Sequence, residues 1–293
     1  MAKPIHKGTR KAVATVARKA RAGRLTSVMK PECLALIEDF RLMDDTFMSK
    51  CLECAPECIE LILQIILGKK DLKVVKLQTE YPIKSLQGRG VRFDVFAKDS
   101  KGREYDIEIQ RADKGAEPKR ARYNSALMDA NALKSGEDFG KLRDTYVIYI
   151  TENDVMGRGQ DMYVFDRMDR RSGLDFGDGA HVVYANGTWR GNDPLGRLMH
   201  DFNCRAATEM YFDVLKKRVS QFKDSKEGRL IMCKAVEEFA ERRAVESERK
   251  GKREAMLATA KRMLESGMLA LKDIARFSGL SLAQVKKLQA SMA

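Results

Sequence analysis

At 293 residues the chain can bury a full core, enough for one domain with appendages. Its longest apolar run, Ile59 to Leu67, is interrupted by Glu60 and Gln64 and falls short of the roughly 20 residues that span a bilayer, so a buried helix is expected there and no membrane span. A formal net charge of +13 points to a polyanionic partner, because counterion release favours phosphate on a basic surface; charge kept for solubility is the plainer alternative.

Residues 1 to 31 carry Lys3, Lys7, Arg10, Lys11, Arg18, Lys19, Arg21, Arg24 and Lys30 without one acid and with few large apolar residues. They read as a disordered basic arm, which either touches nucleic-acid backbone or is a solvated tail. Helical spacing then runs from Glu32 to Phe40 and from Asp45 to Leu67, with Asp44-Asp45 placed to cap the second helix. Cys51, Cys54 and Cys58 have metal-like spacing but no second cysteine pair downstream and no histidine near in sequence. Buried free thiols on a core helix are therefore expected. Six cysteines without a secretory leader fit a reducing, cytoplasmic setting.

Strand composition appears from Leu72 to Leu77, or slightly later through Tyr81-Pro82-Ile83, with Glu80 read as an exposed strand-end acid. From Val91 to Arg111, two β-branched and aromatic runs flank Asp99-Ser100-Lys101-Gly102, the pattern of a β-hairpin. Period-2 alternation puts Tyr105, Ile107 and Ile109 on one face of the second strand and Asp106, Glu108 and Gln110 on the other. Asp94 lies about as far from the turn as Glu108 does, so the two carboxylates can meet across the pair and offer a metal site. An exposed polar face without metal is the alternative.

Pro118 suits the first turn of a helix, and Lys119, Arg120 and Arg122 cluster there, either to hold a phosphate or as a solvated face. Thr145 to Ile150 reads as a buried central strand. In the Gly-rich stretch after it, Gly157-Arg158-Gly159 lacks the third glycine and following helix of a dinucleotide loop, and Asn186-Gly187 suggests a hairpin between Val182–Tyr184 and Thr188-Trp189. Helical spacing returns from Pro194 to about Arg243. A charged helical tail starts at Ala244 and is weakened at Gly251. It leads into a segment with the spacing of a helix-turn-helix: Ala275 in the first helix, Gly279 in the turn, Ser281 capping the second. Gln284, Lys286 and Lys287 then fall on or near the exposed face of the second helix; a small packing or oligomerisation unit is the alternative.

An Asp on one strand, a hairpin, and an acid-x-polar triplet on the next strand resemble the PD-(D/E)XK nucleases. The similarity is closer to one branch, the PD-(D/E)XK nuclease family transposases or recombination-promoting nucleases. It is carried by DDTFM (44–48), LQGRGVRFDVFAKDSKGREYDIEIQRADKGAEPKRARYNS (86–125), DTYVIYITENDVMG (144–157) and NGTWRGNDPLGRLMHDF (186–202), within a span from about Leu34 to about Glu246. The resemblance implies an α/β, restriction-endonuclease-like core with a mixed sheet flanked by helices, a helical C-terminal extension and the helix-turn-helix-like tail. The expected layout is 1–31 arm, 32–200 nuclease-like domain, 201–250 helical extension and 251–293 tail. It further implies a bacterial, cytoplasmic, metal-dependent DNA endonuclease tied to recombination or transposition and acting on double-stranded DNA, with no membrane partner and a homodimer left open. A catalytically inactive DNA-binding or regulatory protein is the alternative. Asp94 and Glu108 would ligate Mg²⁺ or Mn²⁺ with the carbonyl of Ile109, and an acid at Asp44-Asp45 could reach the same site. Gln110 stands where the wider superfamily has Lys; an amide orients water or phosphate but carries no charge, which Lys119 or Arg120 could supply.

Overall fold

The computed structural model describes residues 30–84, 89–111 and 115–292; the basic arm, apart from its last two residues, lies outside them. The described residues form two compact units, 30–235 and 236–292.

Pro31 needs no N–H partner at the first helical position and opens α1 (Pro31–Asp39), which buries Cys33, Leu36 and Ile37. The run from Asp45 to Leu67, read as one helix, is two: α2 (Asp45–Leu52) and α3 (Pro56–Leu67). Pro56 can begin a helix but not sit inside one, and Cys54 ahead of it takes a φ of 54°, outside the helical range. Cys51 and Cys58 are buried free thiols as expected, whereas Cys54 is exposed at the break. Burial pushes the Cys58 thiol up to about 12, so it is inert at neutral pH. The acid before α2 does not cap it. Asp44 instead accepts from the Arg41 N–H at 2.8 Å and pairs with Arg111, whose guanidinium outcompetes the helix N–H groups for the carboxylate.

Strands β1 (Val74–Ile83), β2 (Val91–Asp99) and β3 (Glu104–Gln110) are followed by α4 (Pro118–Ala132), then β4 (Thr145–Thr151), β5 (Met162–Phe165) and β6 (Ala180–Asn186). They make one mixed sheet in the order β1-β2-β3-β4-β6-β5. The β1–β2, β2–β3 and β5–β6 pairs are antiparallel, and β4 runs parallel to both β3 and β6. At the β2–β3 turn Asp99 Oδ1 accepts from the N–H groups of Lys101 and Arg103, both at 2.9 Å, while Gly102 takes a φ of 84°. β4 is buried at every residue, as its unbroken apolar run implies. Helices α2 and α3 pack against β1, and α4 lies against β1, β4 and β6.

One expected hairpin is absent and one strand was not foreseen. β6 takes its antiparallel partner from upstream, with Met162 opposite Ala185 and Phe165 opposite Val182, and no strand forms at Thr188-Trp189. Asn186 Oδ1 instead accepts from the Thr188 N–H and hydroxyl, turning the chain off the sheet. Gly187 is needed there for close approach. Its N–H reaches the Thr151 carbonyl at 2.7 Å, and a Cβ would stand 2.2 Å from that oxygen.

Beyond the sheet come α5 (Pro194–Asn203), α6 (Asp213–Lys223) and α7 (Lys226–Ser266). Lys223, nearly fully buried, donates to the carbonyls of Glu38, Phe40 and Arg205, tying α6 to the end of α1. α7 continues unbroken through Gly251. In the second unit its later turns pack with α8 (Leu271–Ser278) and α9 (Leu282–Ala290) around Ala260, Ile274, Leu280 and Val285. Gly279 ends α8 at φ 75°, and Ser281 and Gln284 form a reciprocal capping box at the start of α9. Ser278, at a position more often apolar, is buried and satisfies its hydroxyl on the Ile274 carbonyl. Among the described residues no helix is long and apolar enough to cross a membrane.

Candidate active site

The β2–β3 ladder runs from Lys98 opposite Glu104 to Val95 opposite Ile107. One step further the register brings Asp94 opposite Glu108. There the main-chain pairing stops, and Asp94 Oδ2 accepts from the Ile109 N–H at 3.1 Å in place of a backbone carbonyl. A side chain thus holds two strands together where they part.

Glu108 and Asp106 are fully buried, so the polar face of β3 is not the exposed surface that one reading allowed; α4 covers it. Two residues along a strand rise about 6.7 Å and four along a helix about 6 Å, so two donors one helical turn apart can meet two acids on one strand face. Arg120 and Asn124 are that pair. Arg120 Nη2 lies 2.5 Å from Glu108 Oε2, and Asn124 Nδ2 donates to Asp106 Oδ2 at 2.8 Å. Gln110 Nε2 adds a second donor to the same Glu108 Oε2 at 3.2 Å, and Arg120 Nη1 is steadied by the Gly115 carbonyl at 2.9 Å.

Three carboxyls thus lie within electrostatic reach of one another and of one guanidinium. Burial, followed by the charge of Glu108, pushes Asp94 up to about 8, with Asp45 adding to the rise and the Ile109 N–H opposing it. Burial and then Glu108 raise Asp106 well above the usual carboxylate range. Glu108 is also raised by burial, with Arg120 the chief opposing influence. Glu108 Oε1, Asp106 Oδ1, Asn124 Oδ1 and the Tyr149 hydroxyl are buried without a hydrogen-bond partner. Oxygen donors left unsatisfied among excess negative charge are what a hard divalent cation needs, so the residues present fit one.

Tyr149 reaches the site through the parallel register, which pairs it with Glu108 on one side and Tyr184 on the other. Its ring stacks on Tyr184 at 5.0 Å. The Tyr184 hydroxyl is satisfied by the Ala116 carbonyl at 2.9 Å, and that of Tyr149 is not.

Of the basic cluster on α4, only Arg120 meets the carboxylates; Lys119, the other candidate for a compensating charge, and Arg122 are exposed beside it. Glu80 is not at a strand end but midway along β1, with φ 50° and an ion pair to Arg92 at 3.7 Å. Gln284, Lys286 and Lys287 are exposed on α9. Gln284 Oε1 is folded back onto the Ser281 N–H at 2.8 Å, so this side chain serves the helix cap before anything else. Sequence reasoning passed over Asn124 and Tyr149 and gave Asp45 the lesser part. The signal for Asn124 was its i+4 spacing from Arg120; for Tyr149 there was none before the strand register was known. Cys51, Cys54 and Cys58 form no donor cluster. Among the described residues three close donors of the His, Cys and acid types occur at His200, Asp201 and Cys204, where Asp201 already accepts from the Tyr211 and Phe212 N–H groups at 2.8 and 2.9 Å.

Residues 58–186 match the family model of the PD-(D/E)XK nuclease family transposases. The match takes in all six strands and α4; Asp44–Met48 and all but the first residue of the segment 186–202 lie beyond it. No curated protein and no solved structure matches the chain.

Proposed function

We propose, from the match of the whole sheet to the PD-(D/E)XK nuclease family transposases, that this protein is a metal-dependent DNA endonuclease acting in recombination or transposition. The observation that carries the reading is the pair of opposed acids, Asp94 and Glu108, where β2 and β3 part, with a buried Glu108 oxygen left unsatisfied. Asp94 and Glu108 would hold Mg²⁺ or Mn²⁺, with the Ile109 carbonyl as a further ligand. A divalent cation bound there supplies a water of lowered pKa and offsets negative charge gathering on the phosphate. Arg120 and Gln110 both engage Glu108 Oε2, which leaves Oε1 for the ligand. Gln110 orients; the positive charge that Lys brings elsewhere in the superfamily comes from Arg120. Lys119 and Arg122, exposed on the first turns of α4, take backbone phosphates of double-stranded DNA in the cytoplasm, and Gln284, Lys286 and Lys287 add a second contact from the tail.

A second reading, an inactive DNA-binding or regulatory protein, is favoured by one observation: Glu108 is already neutralised by Arg120, and no lysine follows it at Gln110. Supercoiled plasmid incubated with wild type and Asp94→Ala, with and without Mg²⁺, separates the two. Cleavage only by wild type with Mg²⁺ supports the nuclease; equal DNA binding by both proteins, indifferent to Mg²⁺ and without cleavage, supports the binder.

A further inference from the structure

Away from the sheet, the end of α5 gathers three donors of different kinds. His200, Asp201 and Cys204 bring a ring nitrogen, a carboxylate oxygen and a sulfur within 4.8 Å of one another. A spacing of four residues sets His200 and Cys204 one helical turn apart on the same side, and Cys204 is the residue that ends the helix. His200 Nδ1 lies 3.3 Å from Cys204 Sγ and 3.3 Å from Asp201 Oδ1. One ring nitrogen cannot serve both neighbours well. With a proton it donates to one of them; without one it accepts from the thiol and turns its lone pair towards the carboxylate. A cation among the three satisfies all of them. Zinc bonds of about 2.3 Å to sulfur and about 2.0 Å to nitrogen and oxygen, at tetrahedral angles, give edges of about 3.5 Å (N–S) and about 3.3 Å (N–O). Two of the three edges are therefore already in place.

The surroundings of the donors are built to match. Asp201 is fully buried, and its two oxygens accept from the Tyr211 and Phe212 N–H groups, which fixes the carboxylate and leaves Oδ1 a lone pair for a cation. The Tyr211 ring packs edge-on against His200, centroids 4.8 Å apart, so one residue orients two donors. On the open side His200 and Cys204 line a cavity of about 330 Å³ with Arg190, Asn203, Arg205 and Glu209, which gives a cation a way in and leaves its fourth position to solvent. A helix C-terminus favours positive charge. An activated Cys–His nucleophile is the rival reading, and it fails. Burial, then the charges of Asp201 and Glu209, push the Cys204 thiol up to about 11, so it stays protonated at neutral pH unless a cation draws the proton off.

We propose that His200, Asp201 and Cys204 form a zinc site at the C-terminal end of α5, sharing no residue with the acids of the sheet. The mixed nitrogen, sulfur and oxygen set suits Zn²⁺ and not Mg²⁺, which takes hard oxygen ligands in octahedral array. The site goes beyond the nuclease reading and does not depend on it.

Titration of the metal-free full chain with Co²⁺, a coloured stand-in for zinc, tests the assignment. Wild type is expected to take up one ion that shows a sulfur-to-cobalt charge-transfer band and the strong visible bands of tetrahedral cobalt. Equimolar Zn²⁺ should abolish both, and a large excess of Mg²⁺ neither. Cys204→Ser is expected to lose the charge-transfer band, and His200→Ala to weaken Zn²⁺ binding by about a hundredfold or more, beyond the loss of an outer partner. Cys54→Ser, at the exposed thiol, should leave both readings unchanged. Melting curves without metal establish that each variant is folded. No charge-transfer band in wild type, a band that survives Cys204→Ser, or an unchanged Zn²⁺ affinity in His200→Ala each overturns the site. Should Cys204→Ser fail to fold, His200→Ala decides, since its side chain is 36% exposed and its loss leaves the core intact.

Discussion

Replacing Arg120 with Met removes the guanidinium from Glu108 and keeps an unbranched side chain to cover the sheet. Arg120 Nη2 is 2.5 Å from a fully buried carboxylate, while the arginine side chain itself is 35% exposed. Removing one partner of a buried pair costs about 3–5 kcal/mol, and the exposure of Arg120 puts this pair at the lower end, about 3 kcal/mol at pH 7.5. Glu108 has one escape, which is to take up a proton. From an unfolded pKa near 4.3 that costs about 4 kcal/mol at pH 7.5, so it caps the loss without relieving it. Burial already holds the Glu108 pKa above its usual value, and Arg120 is the chief influence pulling it back. The variant therefore has a Glu108 raised further. Stability from such a group is intact below the unfolded pKa and is lost as pH rises towards the folded one. The deficit of Arg120→Met is expected to be near zero at pH 4.5 and to grow steadily to pH 7.5. Urea unfolding in EDTA at pH 4.5, 6 and 7.5 measures it. A deficit that does not change with pH, or one below about 1 kcal/mol at pH 7.5, refutes the reasoning.

Asp106→Asn, also measured in EDTA, should stabilise the protein, with a gain that widens from pH 5 to pH 8, because the raised Asp106 pKa makes wild type lose stability over that range; equal melting temperatures at both values would count against a buried acid here. Cation affinity should climb as pH rises and level off above about 8, since Asp94 must give up its proton to bind; Mn²⁺ calorimetry at pH 6.5 and 8.5 showing no difference excludes Asp94 as a ligand. Gly187→Ala drives a Cβ to 2.2 Å from the Thr151 carbonyl, which cannot yield without moving β4, and should cost about 1–3 kcal/mol in chemical denaturation; a variant as stable as wild type shows that the turn is loose. Replacing Lys286 and Lys287 together by Ala should flatten the salt dependence of DNA binding by about two units of slope. An unchanged slope means that α9 does not meet phosphate.

Period and punctuation alone reached the hairpin, the central strand and the turn in the tail. Alternation in EYDIEIQ places Asp106, Glu108 and Gln110 on one face whatever the strand pairs with, because side-chain direction along a strand is a local property. Gly279 and Ser281 mark the α8–α9 turn for the same reason: positive φ and a capping hydroxyl are demands of the nearest few residues. What lies over that face is not local. Only the packing of α4 on the sheet decided that the acids are buried, that Arg120 and not Lys119 meets Glu108, and that Asn124 meets Asp106. The influence of the Asp45 charge on Asp94 links residues about fifty apart in the chain, and the pairing of Tyr149 with Glu108 needs a parallel register that no spacing encodes. Asn186-Gly187 shows the converse. The dipeptide is a sound hairpin signal, yet β6 had already found β5 upstream, and the glycine serves instead to let two backbones touch.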